Sequence, residues 1–233
     1  MIPIEPIDLS AATPFDPFSY YIHILVGLIA ISAALIALFV RKGSKPHILA
    51  GRVFAIGVTI VAVSSLALLS VRMIPPLLVA SFLSVYTVGT ALLTLRPAGA
   101  LVKVAEYSLS ALIVVIAGLF VQMSIPHVVQ GNIPAIGPIV ILAIPFILLI
   151  GDVNFYRQPS RRQELRVRRH LARMIWALVV VIRAPIVEVN VVLQIPTPLV
   201  LIGPLVVAPV LIWFFMRKFP KKKAPQATPS PEV

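Results

Sequence analysis

Long apolar runs dominate this chain, and they leave few folds open to it. A bilayer-crossing helix needs about 20 mostly apolar residues, because the hydrocarbon core is about 30 Å thick and a helix rises about 1.5 Å per residue. Lipid offers no hydrogen-bond partners, so each run must be a helix, and the alternation typical of barrel strands is absent. We therefore predict an all-α, polytopic integral membrane bundle of seven transmembrane helices, at residues 20–40, 48–71, 75–95, 107–123, 133–150, 171–193 and 199–216.

Composition excludes a soluble globular protein. The 233 residues are 59% hydrophobic and only 12% charged, whereas soluble domains are about half apolar and about a quarter charged. The absence of cysteine excludes disulfides, iron–sulfur clusters and thiolate metal sites. The net charge of +12 is confined largely to short segments between apolar runs, so the expected partner of the basic loops is anionic lipid headgroups, and nucleic acid is not expected.

Basic residues set the predicted orientation. All but Arg72 and Arg183 of the 20 basic residues lie in clusters that follow the first, third, fifth and seventh runs. Because short cytoplasmic loops carry the excess of positive charge, we predict an outside N-terminus and a cytoplasmic C-terminus. Residues 1–19 then form an uncleaved extracytoplasmic segment, 20–216 the membrane domain, and 217–233 a basic, disordered cytoplasmic tail.

A basic helix is predicted between the fifth and sixth runs. Ser160 and Gln163 have the spacing of a capping box, which predicts a helix that begins there and continues into the sixth run. Its arginines are expected to contact anionic headgroups.

The sixth run contains the most costly residue of the sequence, Arg183. A charged side chain inside a bilayer costs at least about 2.5 kcal/mol, so it is expected to face the bundle interior and to have a partner. Glu188 and Asn190 follow on the same run, and a kink at Pro185 is expected to help bring Glu188 round. We predict that Arg183, Glu188 and Asn190, together with His23 near the outer surface, bind a small ligand.

Four histidines support a second interpretation. The pentapeptides that begin at His23 and His47 repeat a His-Ile-Leu-x-Gly pattern, in which the glycine one turn later leaves room for a flat ligand. By topology, His47 with His170 forms an inner pair and His23 with His127 an outer pair. Each pair has the residues needed to ligate one b-type haem.

Two motifs resemble a known family. Lys42, Gly43, His47, Gly51 and Arg52 fill one pattern, and the second is filled by His170, Arg173, Met174 and Arg183. Both are similar to patterns of the bacterial multi-pass membrane family catalogued as domain of unknown function 2306. The family's tryptophan before the methionine is absent, and Trp176 follows the methionine instead. The resemblance implies a seven- or eight-helix protein of the bacterial inner membrane and no particular activity.

Catalytic motifs are missing from the sequence. It contains no phosphate-binding glycine loop, HExxH pair or GxSxG elbow, and its eight carboxylates lie mostly at the edges of the apolar runs, so a paired-acid site is not expected. Enzymatic activity is therefore not predicted. Three functions stay open: handling of a small solute or protons at an intramembrane His/Arg site, electron transfer through bis-histidine haem, and a structural or assembly role.

The topology is directly testable. A reporter fused after Val233 is expected to be active in the cytoplasm, and a reporter at the N-terminus is expected outside, because the basic clusters must share the cytoplasmic face. Protease accessibility and reporter activity in intact cells measure both positions. Both reporters on the same side would contradict the seven-span count.

Overall fold

The chain is described in a computed structural model over residues 16–71, 75–131 and 137–217. Within these ranges the secondary structure is helical. The α-helices are α1 (Asp16–Phe39), α2 (Lys45–Val71), α3 (Pro75–Thr94), α4 (Ala100–Val129), α5 (Ala143–Tyr156), α6 (Arg162–Leu193) and α7 (Thr197–Arg217). Short 3₁₀ helices, Gly137–Leu142 and Pro159–Arg161, precede α5 and α6.

The structure confirms an all-helical fold in which five of the seven predicted runs form helices of membrane-spanning length and composition. In the described ranges, α1 to α4 and α6 are long and apolar enough to cross a membrane, and shorter apolar helices occupy Val140–Tyr156 and Ile202–Arg217. These seven helices correspond in order to the seven predicted runs. Residues 1–15, Arg72 and the tail from residue 218 lie outside the described residues, and α1 already includes residues 16–19 of the predicted N-terminal segment.

The start of α6 differs from the prediction. The helix does run without a break from the basic stretch into the sixth apolar run, and it continues through Pro185. The capping box is wrong, because Arg161 holds the N-cap position and no side-chain cap is made. The Arg161 side chain instead pairs with Glu164 at 3.0 Å and donates to Gln158.

Helices α3 and α6 form the centre of the bundle. They pack against each other, α3 also contacts α2 and α4, and α6 also contacts α1, α5 and α7. Side chains of α1, α2, α3 and α6 form one apolar cluster, and a second joins α3 through α7. The outer faces of the peripheral helices leave large apolar side chains exposed, such as Leu25, Phe39 and Leu101, as expected where lipid is the solvent.

The turn between α1 and α2 explains much of the first family-like motif. Gly43 has φ +78°, a conformation that glycine adopts without strain. The Lys42 ammonium donates to the carbonyls of Ala37 and Leu38, at 2.8 and 2.5 Å, and His47 Nδ1 lies 3.0 Å from the Ala37 oxygen. These contacts satisfy carbonyls that the last turn of a helix leaves without partners.

Close approach of α1 and α2 depends on a glycine outside that repeat. A Cβ atom added to Gly57 would lie 2.8 Å from the Ala30 Cβ, whereas one added to Gly51 would meet nothing within 4 Å and one at Gly27 would make an ordinary 3.8 Å contact. Gly57 is therefore the glycine that lets these helices pack closely, and Gly51 faces open space.

Candidate functional site

A buried network of charged residues lies at one end of the bundle, where α3 and α5 end and α4 and α6 begin. We call this end the basic end. The network contains two carboxylates, Glu106 on α4 and Asp152 on α5, and each is only 1% exposed. Arg162, Arg169 and Arg173 face them from α6, and hydroxyl groups from α3, α4 and α5 complete the set.

Glu106 is bound by two guanidinium groups. Arg162 donates from Nη1 to Oε2 at 2.8 Å and from Nη2 to Oε1 at 3.2 Å, the bidentate geometry that makes arginine–carboxylate pairs strong. Arg169 Nη1 donates to the same Oε1 at 2.7 Å and also to the hydroxyl of Thr94. Glu106 therefore connects α4 to two successive positions on one face of α6.

Asp152 accepts four hydrogen bonds. Its Oδ1 accepts from Arg169 Nη2 at 2.7 Å and from Arg173 Nη2, while its Oδ2 accepts from the hydroxyls of Tyr86 at 2.5 Å and Ser110 at 2.9 Å. A buried carboxylate is stable only when its acceptor positions are filled. Through Asp152, the end of α5 is joined to α3, α4 and α6.

Aromatic rings cover the arginines from the other side. The Arg169 guanidinium carbon lies 4.2 Å from the centre of the Phe155 ring and 5.5 Å from that of Tyr156, and Arg173 lies 4.8 Å from the Tyr86 ring centre. A cation over a ring face gains roughly 0.5 to 2 kcal/mol, with the larger values at desolvated sites. The rings thus offset part of the cost of burying the arginines.

The network has more positive than negative charge. Three guanidinium groups face two carboxylates, and within the described residues the buried Arg169 Nε and Arg173 Nη1 have no hydrogen-bond partner. Arg173 does donate to the Leu148 carbonyl at 2.7 Å. The arrangement therefore retains donor capacity for a further acceptor.

Arg183 lies deeper on the same helix. It is 14 residues beyond Arg169, about 21 Å of helix rise, and its direction differs by only about 40° around the helix axis. Its Nε is buried, and among the described residues it has no hydrogen-bond partner. The predicted partner Glu188 has a side chain outside the described set, and Asn190 bonds the backbone N–H and carbonyl of Ile195 at 2.8 and 3.2 Å.

His23 is on α1 and forms a separate contact. Its Nδ1 lies 2.7 Å from the Ser64 hydroxyl on α2, and no described hydrogen bond joins it to Arg183 or Asn190. The described contacts therefore do not bring the four predicted ligand residues together. His127, the predicted outer haem partner of His23, has a side chain outside the described set.

His47 and His170, the predicted inner haem pair, each contact a backbone carbonyl through Nδ1. His47 Nδ1 is 3.0 Å from the Ala37 carbonyl, and His170 Nδ1 is 3.1 Å from the Ala91 carbonyl. A carbonyl can only accept, so in each neutral ring Nδ1 carries the proton and Nε2 keeps its lone pair.

No sequence pattern was sufficient to predict the ion network. The carboxylates were expected to lie mostly at the edges of the apolar runs, and that position does not show whether Glu106 and Asp152 are buried, because burial depends on tertiary packing. The guanidinium groups of Arg162, Arg169 and Arg173 pair with these acids, whereas contact of the basic segment with lipid headgroups stays a prediction. One signal was available: the spacing of these arginines by seven and four residues places them on one helix face.

Comparisons with known proteins identified no relative of this chain. Neither protein-family models, nor curated proteins, nor solved structures match this chain.

Removing the charge of Asp152 tests how much the ion network contributes to stability. Asp152→Asn leaves Arg173 and Arg169 with an uncompensated buried charge, and we expect a loss of about 3–5 kcal/mol of unfolding free energy. Adding Arg173→Met should recover part of that loss, since the remaining arginines keep Glu106. Denaturation of the detergent-purified variants measures both values.

Arg161→Gln is the matched control, because it removes one charge from the exposed pair with Glu164 and is expected to leave the stability unchanged. An Asp152→Asn variant as stable as this control would mean that water, and not the arginines, solvates Asp152.

Proposed function

We propose that this protein binds and handles a small anion along the inward face of α6, within a seven-span bundle of the bacterial inner membrane. The proposal includes the predicted orientation, with the basic end in the cytoplasm, and membership of the family whose motifs the sequence resembles. It develops the ligand-site prediction at Arg183 and extends it to residues of the ion network.

The helix lengths support seven spans. The 3₁₀ helix Gly137–Leu142 and α5 follow each other directly and together rise about 33 Å, while α7 rises about 31 Å. Both values match a hydrocarbon core of about 30 Å. The network supports the orientation, because the ends it joins are the ends where the basic clusters lie.

One observation carries the functional proposal. Along α6 the bundle buries guanidinium groups in excess of the carboxylates that face them, and N–H groups of Arg169, Arg173 and Arg183 lack acceptors among the described residues. A buried donor without an acceptor costs about 1–3 kcal/mol. A carboxylate- or phosphate-bearing solute would supply both the missing acceptor and the missing negative charge.

An anion fits these residues better than a proton relay does. Arginine keeps its proton in proteins, so a row of arginines attracts anions and does not pass protons along. The two carboxylates are each held by two guanidiniums, which makes them poor carriers of an exchangeable proton. In this proposal the anion binds Arg183 in the interior of the bundle, and the ion network attracts it at the basic end.

Arg183→Leu is expected to abolish anion binding and to leave folding intact, because lipid and apolar core tolerate leucine better than an unpaired guanidinium. Thermal unfolding of the detergent-purified protein in phosphate, acetate or succinate, against chloride at equal ionic strength, measures the binding. A ligand at about one hundred times its Kd raises the unfolding free energy by about 2.7 kcal/mol. We expect this gain in the wild type and its absence in the variant.

Arg41→Leu is the control, since it removes a positive charge from an exposed position in the α1–α2 turn and should retain the gain. If no anion stabilises the wild type, or if Arg183→Leu is stabilised equally, the anion proposal is wrong. A fall in folded yield of Arg183→Leu that Glu188→Gln restores would instead indicate a structural ion pair.

Bis-histidine haem is the second candidate, and the inner pair favours it. Metal-ligating histidines usually donate one ring N–H to a backbone carbonyl, which fixes the ring and directs the other nitrogen to the metal. His47 and His170 both have this arrangement, and Gly51, one turn after His47, faces open space. When bound, haem would supply one-electron transfer.

An absorbance spectrum separates this candidate from the first. If the inner pair ligates haem, the purified protein shows a Soret band, and His47→Ala and His170→Ala each abolish it, because either change leaves the iron with one axial ligand. His23 lies near the N-terminal end of α1, away from the α1–α2 turn beside His47, so His23→Ala should keep the band. A colourless protein from haem-replete cells, or independent behaviour of the two variants, contradicts the pairing.

A further inference from the structure

An apolar groove lies between α5, α6 and α7 on the outside of the bundle. Its cavity volume is about 410 Å³, within the range of small-molecule sites. Ile147, Trp176 and Ile212 contribute apolar walls, and Trp213, which is 55% exposed, borders the groove. The groove takes no part in the ion network.

Two arginines line the groove at its basic end. Arg168 is on the second turn of α6, and Arg217 is the last residue of α7. Among the described residues, neither has a carboxylate partner. The Arg168 guanidinium donates to the sulfur of Met216, at 3.5 Å, and Arg217 stacks on Trp213 at 3.4 Å from the ring centre.

These contacts leave most of both guanidinium groups available. A thioether is a weak acceptor, and a ring face does not use the in-plane N–H groups that bind phosphate in a bidentate manner. The groove thus combines hydrocarbon walls with anion-binding groups at one end.

We propose that this groove binds one anionic phospholipid, with an acyl chain against Ile147 and Trp176 and the phosphate between Arg168 and Arg217. Charge complementarity selects the headgroup, and the walls select a molecule with a hydrocarbon chain. A free phosphate would use the arginines but leave the apolar walls uncovered. Tryptophan beside arginine is also the composition expected where a helix meets the membrane–water interface. The proposal is independent of the anion site along the inner face of α6.

Native mass spectrometry of the detergent-purified protein tests this site with two probes of equal chain length, phosphatidylglycerol and phosphatidylcholine. We expect phosphatidylglycerol to be retained in preference to phosphatidylcholine. The double variant Arg168→Gln with Arg217→Gln should lower its affinity about tenfold or more, since each basic residue near an anionic surface contributes appreciably. Excess inorganic phosphate should not displace the lipid.

Arg166→Gln is the control, because Arg166 is an exposed arginine of the same helix outside the groove, and its loss removes as much charge as either single substitution at Arg168 or Arg217. Ile147→Trp, which fills the groove and keeps both arginines, should also abolish retention and carries the test if the double variant gives no folded protein. Equal retention of both lipids, an equal loss in Arg166→Gln, displacement by phosphate, or full retention in Ile147→Trp would each overturn the proposal.

Discussion

Arg169 joins the two buried carboxylates, and the basic end of the bundle depends on this one side chain. It donates to Glu106 on α4, Asp152 on α5 and Thr94 on α3 while it belongs to α6. Burying an ion costs several kcal/mol unless its partners and hydrogen bonds compensate. The three acceptors and the rings of Phe155 and Tyr156 provide that compensation, so four helices are held in one relative position where apolar packing alone would allow them to slide.

Helix α6 must be both apolar and rich in arginine, two requirements that conflict in a buried helix. It must be apolar enough to lie at the centre of the bundle, where Trp176, Ala177 and Val179 are buried, and it also carries the arginines. The conflict is resolved by facing the arginines toward acids, hydroxyls and aromatic rings of neighbouring helices. Arg183 is the exception, since its buried Nε has no described partner, and exceptions of this kind inside membranes usually mark functional positions.

The sequence predicted the helices far better than the contacts. Apolar run length gave the order and approximate position of each helix, because lipid permits only helices to cross it. The position of Glu106 and Asp152 beside apolar runs could not show that they are buried, since burial depends on which helices become neighbours. Gly57 was missed for a related reason: the repeat drew attention to Gly27 and Gly51, whereas close packing depends on the residue opposite, here Ala30.

The order of the network residues along the chain has a consequence for biosynthesis. Glu106 and Asp152 precede all three arginines that compensate them, and synthesis proceeds from the N-terminus. Until α6 emerges, α4 and α5 each carry an acid that finds no cationic partner within this network, which favours keeping their ends near water. Arrival of α6 removes that penalty, so the helices that carry the two acids reach their final ion pairs only when the sixth helix is in place.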